Sequence, residues 1–325
     1  MTIALVTPAS LGSRTGNSIT AVRWASVLRN LGHAVSITHE YRGEPADVVI
    51  ALNAYRSAVS IQRFSDQHPE RPLVVALTGT DLYQFMDSHR EETLRSVEAA
   101  DRLVVLSNLA HNALPSAQRH KVFLIYESAE PIPGGRHPVM RYFDICVIGH
   151  LRPEKDPLRT ALAARDLPVS SKIRVRHYGR AHTEEWAEKA RVEMSCNHRY
   201  TWFGEVPHWR VRQALAKCRL MVLSSSIEGG PNSLSEAVVA GVPVITTDID
   251  GCVGVLGKDY RGYFHVGDTD ALRELLTRAE TDSKFFGSLK NFIIKLGPRF
   301  SRQEEEVRWA KLLAGLFDKR VRRTA

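Results

Sequence analysis

The feature that most constrains this chain is an alternation, carried out twice, of short apolar runs with helical stretches. The first series opens with residues 3–6 (Ile-Ala-Leu-Val), a loop over 8–18 holding Gly12 and Gly16, and a helical pattern over 19–31 that Gly32 can end. Further strands are predicted at 35–38, 47–52, 73–77, 103–106 and 122–125. Between Ser128 and Tyr142 stand Pro131, Pro133, Gly134, Gly135 and Pro138, a cluster that suits neither a helix nor a central strand and reads as a linker. A second series follows, with strands at 144–148, 172–177, 200–203, 220–224, 243–246 and 262–266 and helices at 158–165 and 183–193 among them. Such alternation predicts mainly parallel sheets covered by helices on both faces, an α/β fold.

A length of 325 residues suits two domains of ordinary size. The expected division is 1–130 and 141–300, two Rossmann-like halves facing each other across a cleft. The final helix, expected over 302–317, is free to pack back on the first half. With 43% hydrophobic and 25% charged residues the chain is neither disordered nor fibrous. Its longest apolar runs, such as 103–106 and 220–223, are far too short to span a bilayer. The first eight residues run straight into a strand pattern without a leader, so a cytoplasmic protein is expected. Four cysteines without paired metal-ligand spacing read as thiols. The net charge of +8 suits an anionic substrate, although Lys319, Arg320, Arg322 and Arg323 form a solvated tail. No basic stripe interleaved with aromatics is present, which argues against a nucleic-acid partner.

The strongest local signal is Ser224-Ser225-Ser226-Ile227-Glu228-Gly229-Gly230-Pro231-Asn232-Ser233-Leu234-Ser235-Glu236-Ala237, set between an apolar strand and an apolar helix. A glycine-bearing turn at a helix start can offer backbone N–H groups to a phosphate, here those of Asn232, Ser233 and Leu234. Glu236 is then placed for a ribose diol, and Glu228 for the sugar beyond. The alternative is that residues 233–236 form a capping box, with Glu236 satisfying backbone donors and Glu228 a solvated loop residue.

Glu228, seven intervening residues and Glu236, followed by Gly241-Val242-Pro243-Val244-Ile245, resembles the donor signature of GT-B glycosyltransferases of family 4. Residues 28–35 are similar to that family's first helix and second strand. Residues 147–155, Val-Ile-Gly-His-Leu-Arg-Pro-Glu-Lys, resemble its basic loop. The resemblance implies a GT-B fold and a donor diphosphate held by Lys155. The family has Arg directly after the glycine, whereas here His150 stands there and Arg152 two places on, so either can be the second phosphate contact. Gly229, Gly230 and, in the first half, Gly16 are assigned to the donor as well.

Four segments are similar to a narrower group, the selenosugar synthases (SenB) of selenoneine biosynthesis: residues 12–17, 76–83, 149–152 and 257–264. That likeness implies transfer from UDP-glucose or UDP-N-acetylglucosamine to selenophosphate, with a C–Se bond formed. The acceptor would be met by Arg14, Asn17, Arg56 and Thr80 after strand ends of the first half; each also reads as an ordinary loop residue. Asp81 joins Arg152, Lys155 and Glu228 as a catalytic candidate, with positioning favoured over proton transfer because a selenium nucleophile is already an anion. Asp81 can equally cap the next helix. No metal or other cofactor is required by this arrangement. The rivals are a family 4 enzyme with a hydroxyl acceptor and a non-catalytic nucleotide-sugar sensor.

Overall fold

The computed structural model describes residues 1–10, 12 and 15–321, with side chains to residue 316. The chain divides into two compact units. The first comprises residues 1–128, the segment Glu228–Asn232 and the chain from Ser301 onward; the second comprises Ala129–Ile227 and Ser233–Phe300.

The sheet of the first unit contains β1 (Thr2–Val6), β2 (Ala34–Thr38), β3 (Val48–Leu52), β4 (Leu73–Leu77), β5 (Arg102–Val105) and β6 (Val122–Leu124), in the order β2-β1-β3-β4-β5-β6. Every pairing is parallel. The central strands β3 and β4 are buried along their whole length, as a sheet covered on both faces requires, while the edge strand β2 is more exposed. One face packs on Ile61 and Phe64 of helix Ala58–Gln67 and Val97 of helix Arg90–Ala99. The other packs on Trp24 and Leu28 of helix Gly16–Asn30 and on Trp309, Leu312 and Leu316 of helix Arg302–Val321. Trp24 and Trp309 meet edge to face with ring centres 4.8 Å apart, a favoured aromatic geometry.

In the second unit β7 (Phe143–Ile148), β8 (Ile173–Tyr178), β9 (Tyr200–Trp202), β10 (Leu220–Leu223), β11 (Val244–Thr247) and β12 (Tyr263–Phe264) form another parallel sheet, ordered β12-β11-β10-β7-β8-β9. Both sheets match the α/β class and the strand positions expected from the alternation. Among the described residues no helix is long and apolar enough to cross a membrane.

Three boundaries differ from expectation. The first helix begins at Gly16 instead of residue 19, with Thr15 in extended N-cap geometry. Turn-forming residues such as Gly16 and Asn17 are tolerated there because the first-turn N–H groups lack helical partners anyway. The proline- and glycine-rich stretch is no free linker. Arg136 donates to the carbonyls of Gly241 and Cys218 at 2.7 and 2.6 Å, and Arg212 to those of Glu130 and Pro131, tying the stretch to the second unit. Finally, Glu228–Asn232 belongs with the first unit, for reasons set out below.

Candidate functional site

The basic loop of the second unit is built by extending a parallel pair beyond its strands. Gly149 N–H donates to the Tyr178 carbonyl, Leu151 N–H to that of Arg180, and His182 N–H to that of Leu151. Gly179, at φ +154°, allows this, since a Cβ there would collide with the Gly149 carbonyl. Beneath the loop, His177 is fully buried between the Gly149 carbonyl and the Tyr200 hydroxyl, 3.0 Å from each. Burial pushes its pKa down to about 4, so the ring is neutral, donating from Nε2 to the carbonyl and accepting at Nδ1.

Residues Pro153–Lys155 then form one 3₁₀ turn, closed by Asp156 in the left-handed region at φ +40°. The end of β10 is stitched to this turn. Ser224 Oγ donates to the carbonyls of Lys155 and Asp156 at 3.2 and 2.8 Å, and Ser226 N–H to that of Glu154 at 2.9 Å. The structure therefore brings the basic loop and the approach to Glu228 into one backbone network.

The side chains remain on this frame, half-buried. His150 accepts the Arg180 N–H at Nδ1, 3.1 Å away, and its ring lies 5.3 Å from that of His182. The His150 ring is thus engaged by the neighbouring loop, whereas the Arg152 guanidinium makes a loose ion pair with Glu154 at 3.8 Å. Partial burial and the charges of Arg152, His150 and Arg180 hold the His182 pKa below its ordinary value. Burial is the larger cause of that depression, and the neighbouring positive charges add to it.

On the signature helix Asn232–Val239, Leu234 is buried, Ser233 half-buried, and Glu236 pairs with Nε2 of His208 at 2.9 Å. A capping box would need Ser233 outside the helix as its N-cap, yet the helix already contains Asn232 and Ser233. His208 starts helix His208–Lys217, and its hydrogen bond to Glu236 raises its pKa above the ordinary value against the effect of burial.

The two signature glycines have a reason that the sequence did not reveal. A Cβ on Gly229 would stand 2.6 Å from the Thr78 carbonyl carbon and 2.7 Å from Gly79 N. One on Gly79, at φ +120°, would stand 2.5 Å from Gly229 N, and one on Gly230 would stand 2.5 Å from Leu106 Cβ. Residues 228–232 therefore lie directly against the loop after β4 and the end of β5 in the first unit. Close backbone packing, and not a phosphate-cradling turn alone, demands glycine at both places. Asn232 continues the seam: its Oδ1 accepts from Arg23 at 2.6 Å and its Nδ2 donates to Thr20 Oγ1 at 3.3 Å.

The remaining candidates cluster at the carboxyl ends of adjacent strands of the first sheet. Asn53, at the end of β3, is fully buried with φ +69°. Its amide donates to Thr78 Oγ1 and Thr80 Oγ1 at 3.2 and 3.1 Å, and its Oδ1 accepts the Arg56 N–H. The Arg56 guanidinium is exposed, 5.4 Å from the Phe85 ring centre. Asp81 is fully buried and accepts the backbone N–H groups of Ala54, Thr78, Gly79 and Leu82. Burial pushes its pKa up against those bonds. A carboxylate so enclosed braces the loops after β3 and β4. Gly16 and Asn17 stand in the first helical turn, Asn17 half-buried, and Arg14 lies outside the described residues. Sequence reasoning missed Asn53 and His177 at strand ends, His208 at a helix start and Arg23 in mid-helix, each a single polar residue outside any motif.

The comparisons agree with this architecture. Residues 136–295 match the model of the family described as glycosyl transferases group 1. Solved structures align over nearly the whole chain. Anabaena HepE in complex with UDP superposes with a TM-score of 0.77 at 15% identity, covering 97% of this chain and 99% of that one. Sucrose-phosphate synthase of Thermosynechococcus elongatus gives 0.76 at 15%, covering 98% and 99%. The chain thus has the GT-B fold, and its residues 136–295 resemble the glycosyl transferases group 1 family. Two curated relatives match over shorter stretches. TuaC of Bacillus subtilis (strain 168), described as a teichuronic acid biosynthesis glycosyltransferase, is 39% identical over 77 residues, 24% of this chain. The lipopolysaccharide 1,6-galactosyltransferase of Escherichia coli (strain K12) is 31% identical over 90 residues, 26% of this chain. The matched stretches span only 20% and 25% of those relatives' lengths.

Proposed function

We propose that this chain is a UDP-sugar-dependent glycosyltransferase whose acceptor is selenophosphate. The observation that carries the donor half is the backbone network joining the loop of Arg152 and Lys155 to the strand that leads into Glu228. It fixes two cations while leaving their side chains half-exposed, the arrangement needed to meet a diphosphate without rearranging. The UDP named in the complex with HepE is the kind of molecule such a loop would hold.

In this reading Lys155 and Arg152 neutralise the diphosphate as the glycosidic C–O bond breaks and its electron pair passes to UDP. Amides at the start of helix Asn232–Val239 add to that, Glu236 accepts from the ribose hydroxyls and Glu228 orients the sugar. His150, already bonded to Arg180, shapes the loop. The selenium of selenophosphate donates the electron pair that forms the new C–Se bond, and later hydrolysis of the P–Se bond releases orthophosphate. No proton has to be removed from the nucleophile, which accords with an Asp81 wholly committed to backbone donors. Thr80, Arg56, Asn17 and Arg14 are proposed to meet the anionic acceptor, and the two cations to serve the leaving group without a metal.

The acceptor rests on the four segments shared with the selenosugar synthase group, and it is tested separately from the donor. Protein is mixed with UDP-glucose or UDP-N-acetylglucosamine and fresh selenophosphate, and products are followed by UDP release and the selenium isotope pattern in mass spectra. Selenophosphate-dependent UDP release with a selenium-bearing sugar is the expected result. Release with a simple alcohol and none with selenophosphate would replace this acceptor by a hydroxyl.

A further inference from the structure

Within the first unit a buried polar network connects elements distant in sequence. Arg23, on helix Gly16–Asn30, has a side chain only 16% exposed. Its guanidinium reaches Glu127 Oε1 at 2.5 Å, Glu305 Oε1 at 3.3 Å and Asn232 Oδ1 at 2.6 Å. Glu127 follows β6, Glu305 lies in the first turn of helix Arg302–Val321, and Asn232 ends the segment Glu228–Asn232. Thr20, one turn before Arg23, donates to Glu127 and accepts from Asn232. Glu305 is held further by Trp24 Nε1 at 2.8 Å and by the Ser128 hydroxyl.

We infer that Arg23 is a positioning residue for the signature segment, fixing Glu228–Asn232 through the Asn232 side chain. Three features argue for this over mere stability. One cation faces two buried carboxylates, and Glu127 Oε2 has no hydrogen-bond partner among the described residues. Buried charge arranged so sparingly is a poor stabiliser compared with apolar packing, and its attested use is to select one arrangement. The bond to Asn232 is short and charge-assisted, and it lies at the junction of the segment and helix Asn232–Val239. Gly229 and Gly230 supply no side chains, and the Asn232 side chain ties the segment to Arg23 and Thr20 of helix Gly16–Asn30. Burial opposes the charge on Arg23, but the two carboxylates outweigh it and its pKa lies above the ordinary value, leaving a permanent cation.

The inference rests on reading Glu228 to Glu236 as donor contacts, and the test separates the two claims. Arg23→Lys keeps a cation for both carboxylates, but a single ammonium cannot replace the planar fork that reaches three acceptors. Trp24→Phe is the control: it deletes a hydrogen bond to the same Glu305 and leaves Arg23 intact. Hydrogen exchange of a peptide covering 227–233 is measured in both, together with melting temperature and donor kinetics. Exchange in that peptide should rise about tenfold in Arg23→Lys, with the donor KM raised more than kcat is lowered, while Trp24→Phe shows neither at a comparable loss of melting temperature. Unchanged exchange in Arg23→Lys, or equal loosening in Trp24→Phe, overturns the inference. Loosening in a protein that never turns over a UDP-sugar leaves Arg23 as the clamp and sinks the proposed function instead. Asn232→Ala removes the other end of the same bond and should loosen the same peptide; unchanged exchange there overturns the inference as well.

Discussion

The loop 149–155 of the second unit and the segment Glu228–Asn232 of the first are both donor candidates in the sequence, yet they are held by opposite means. In the second unit the basic loop is fixed through its backbone, by continued strand pairing and by the hydroxyl of Ser224, so its cationic side chains stay half-exposed. In the first unit the segment is fixed by the absence of side chains at Gly229 and Gly230 and by the buried bonds of Asn232. The difference teaches where function can be probed cleanly. Side chains carried on a backbone frame can be removed without unfolding it, whereas a segment wedged against other backbone cannot be altered without displacing it.

The sharpest break of that comparison is Gly229→Ala. Its Cβ would press on Thr78 and Gly79 backbone, which cannot swing aside, so a loss of about 3 kcal/mol or more is expected in denaturant melts. A variant of wild-type stability would mean that the segment does not sit where described. Lys155→Ala is the opposite case: stability should change by less than about 0.5 kcal/mol, while kcat falls by about a hundredfold. If instead melting collapses and turnover per folded molecule is normal, Lys155 is structural.

The smallest effect concerns His208. Its pKa is raised in the folded state, so its pairing with Glu236 contributes stability that is full below the ordinary value of 6.5 and is lost as pH rises through the raised value. His208→Gln should therefore flatten the decline in melting temperature just above pH 6.5, by a small amount because the side chain is 60% exposed. An unchanged pH profile would show that the pair contributes nothing.

These contrasts also mark what the sequence could and could not reveal. All the strands were legible, because β3, β4 and β10 are uninterrupted apolar runs and each series repeats the same alternation. The basic loop and the Glu228–Glu236 spacing were legible as motifs. The glycines at 229 and 230 were visible, but the packing that requires them was not, since the backbone they touch, at Thr78 and Gly79, is some 150 positions earlier and no local pattern links them. No local pattern links Arg23, Glu127 and Glu305, and only the fold makes them one buried cluster. The stretch 128–142 reads as a linker because its residues break regular structure, although Arg136 and Arg212 bind it down.

The central claim is that the second unit holds a nucleoside diphosphate through its basic loop and Glu236. Calorimetric titration of UDP into the wild-type protein and Glu236→Ala, with melting curves of both, tests it most directly. The account predicts that UDP binds the wild type and that the variant loses about 1–3 kcal/mol of binding with little change in melting temperature. UDP binding equally well to a variant that melts earlier would contradict it, leaving Glu236 as a structural partner of His208.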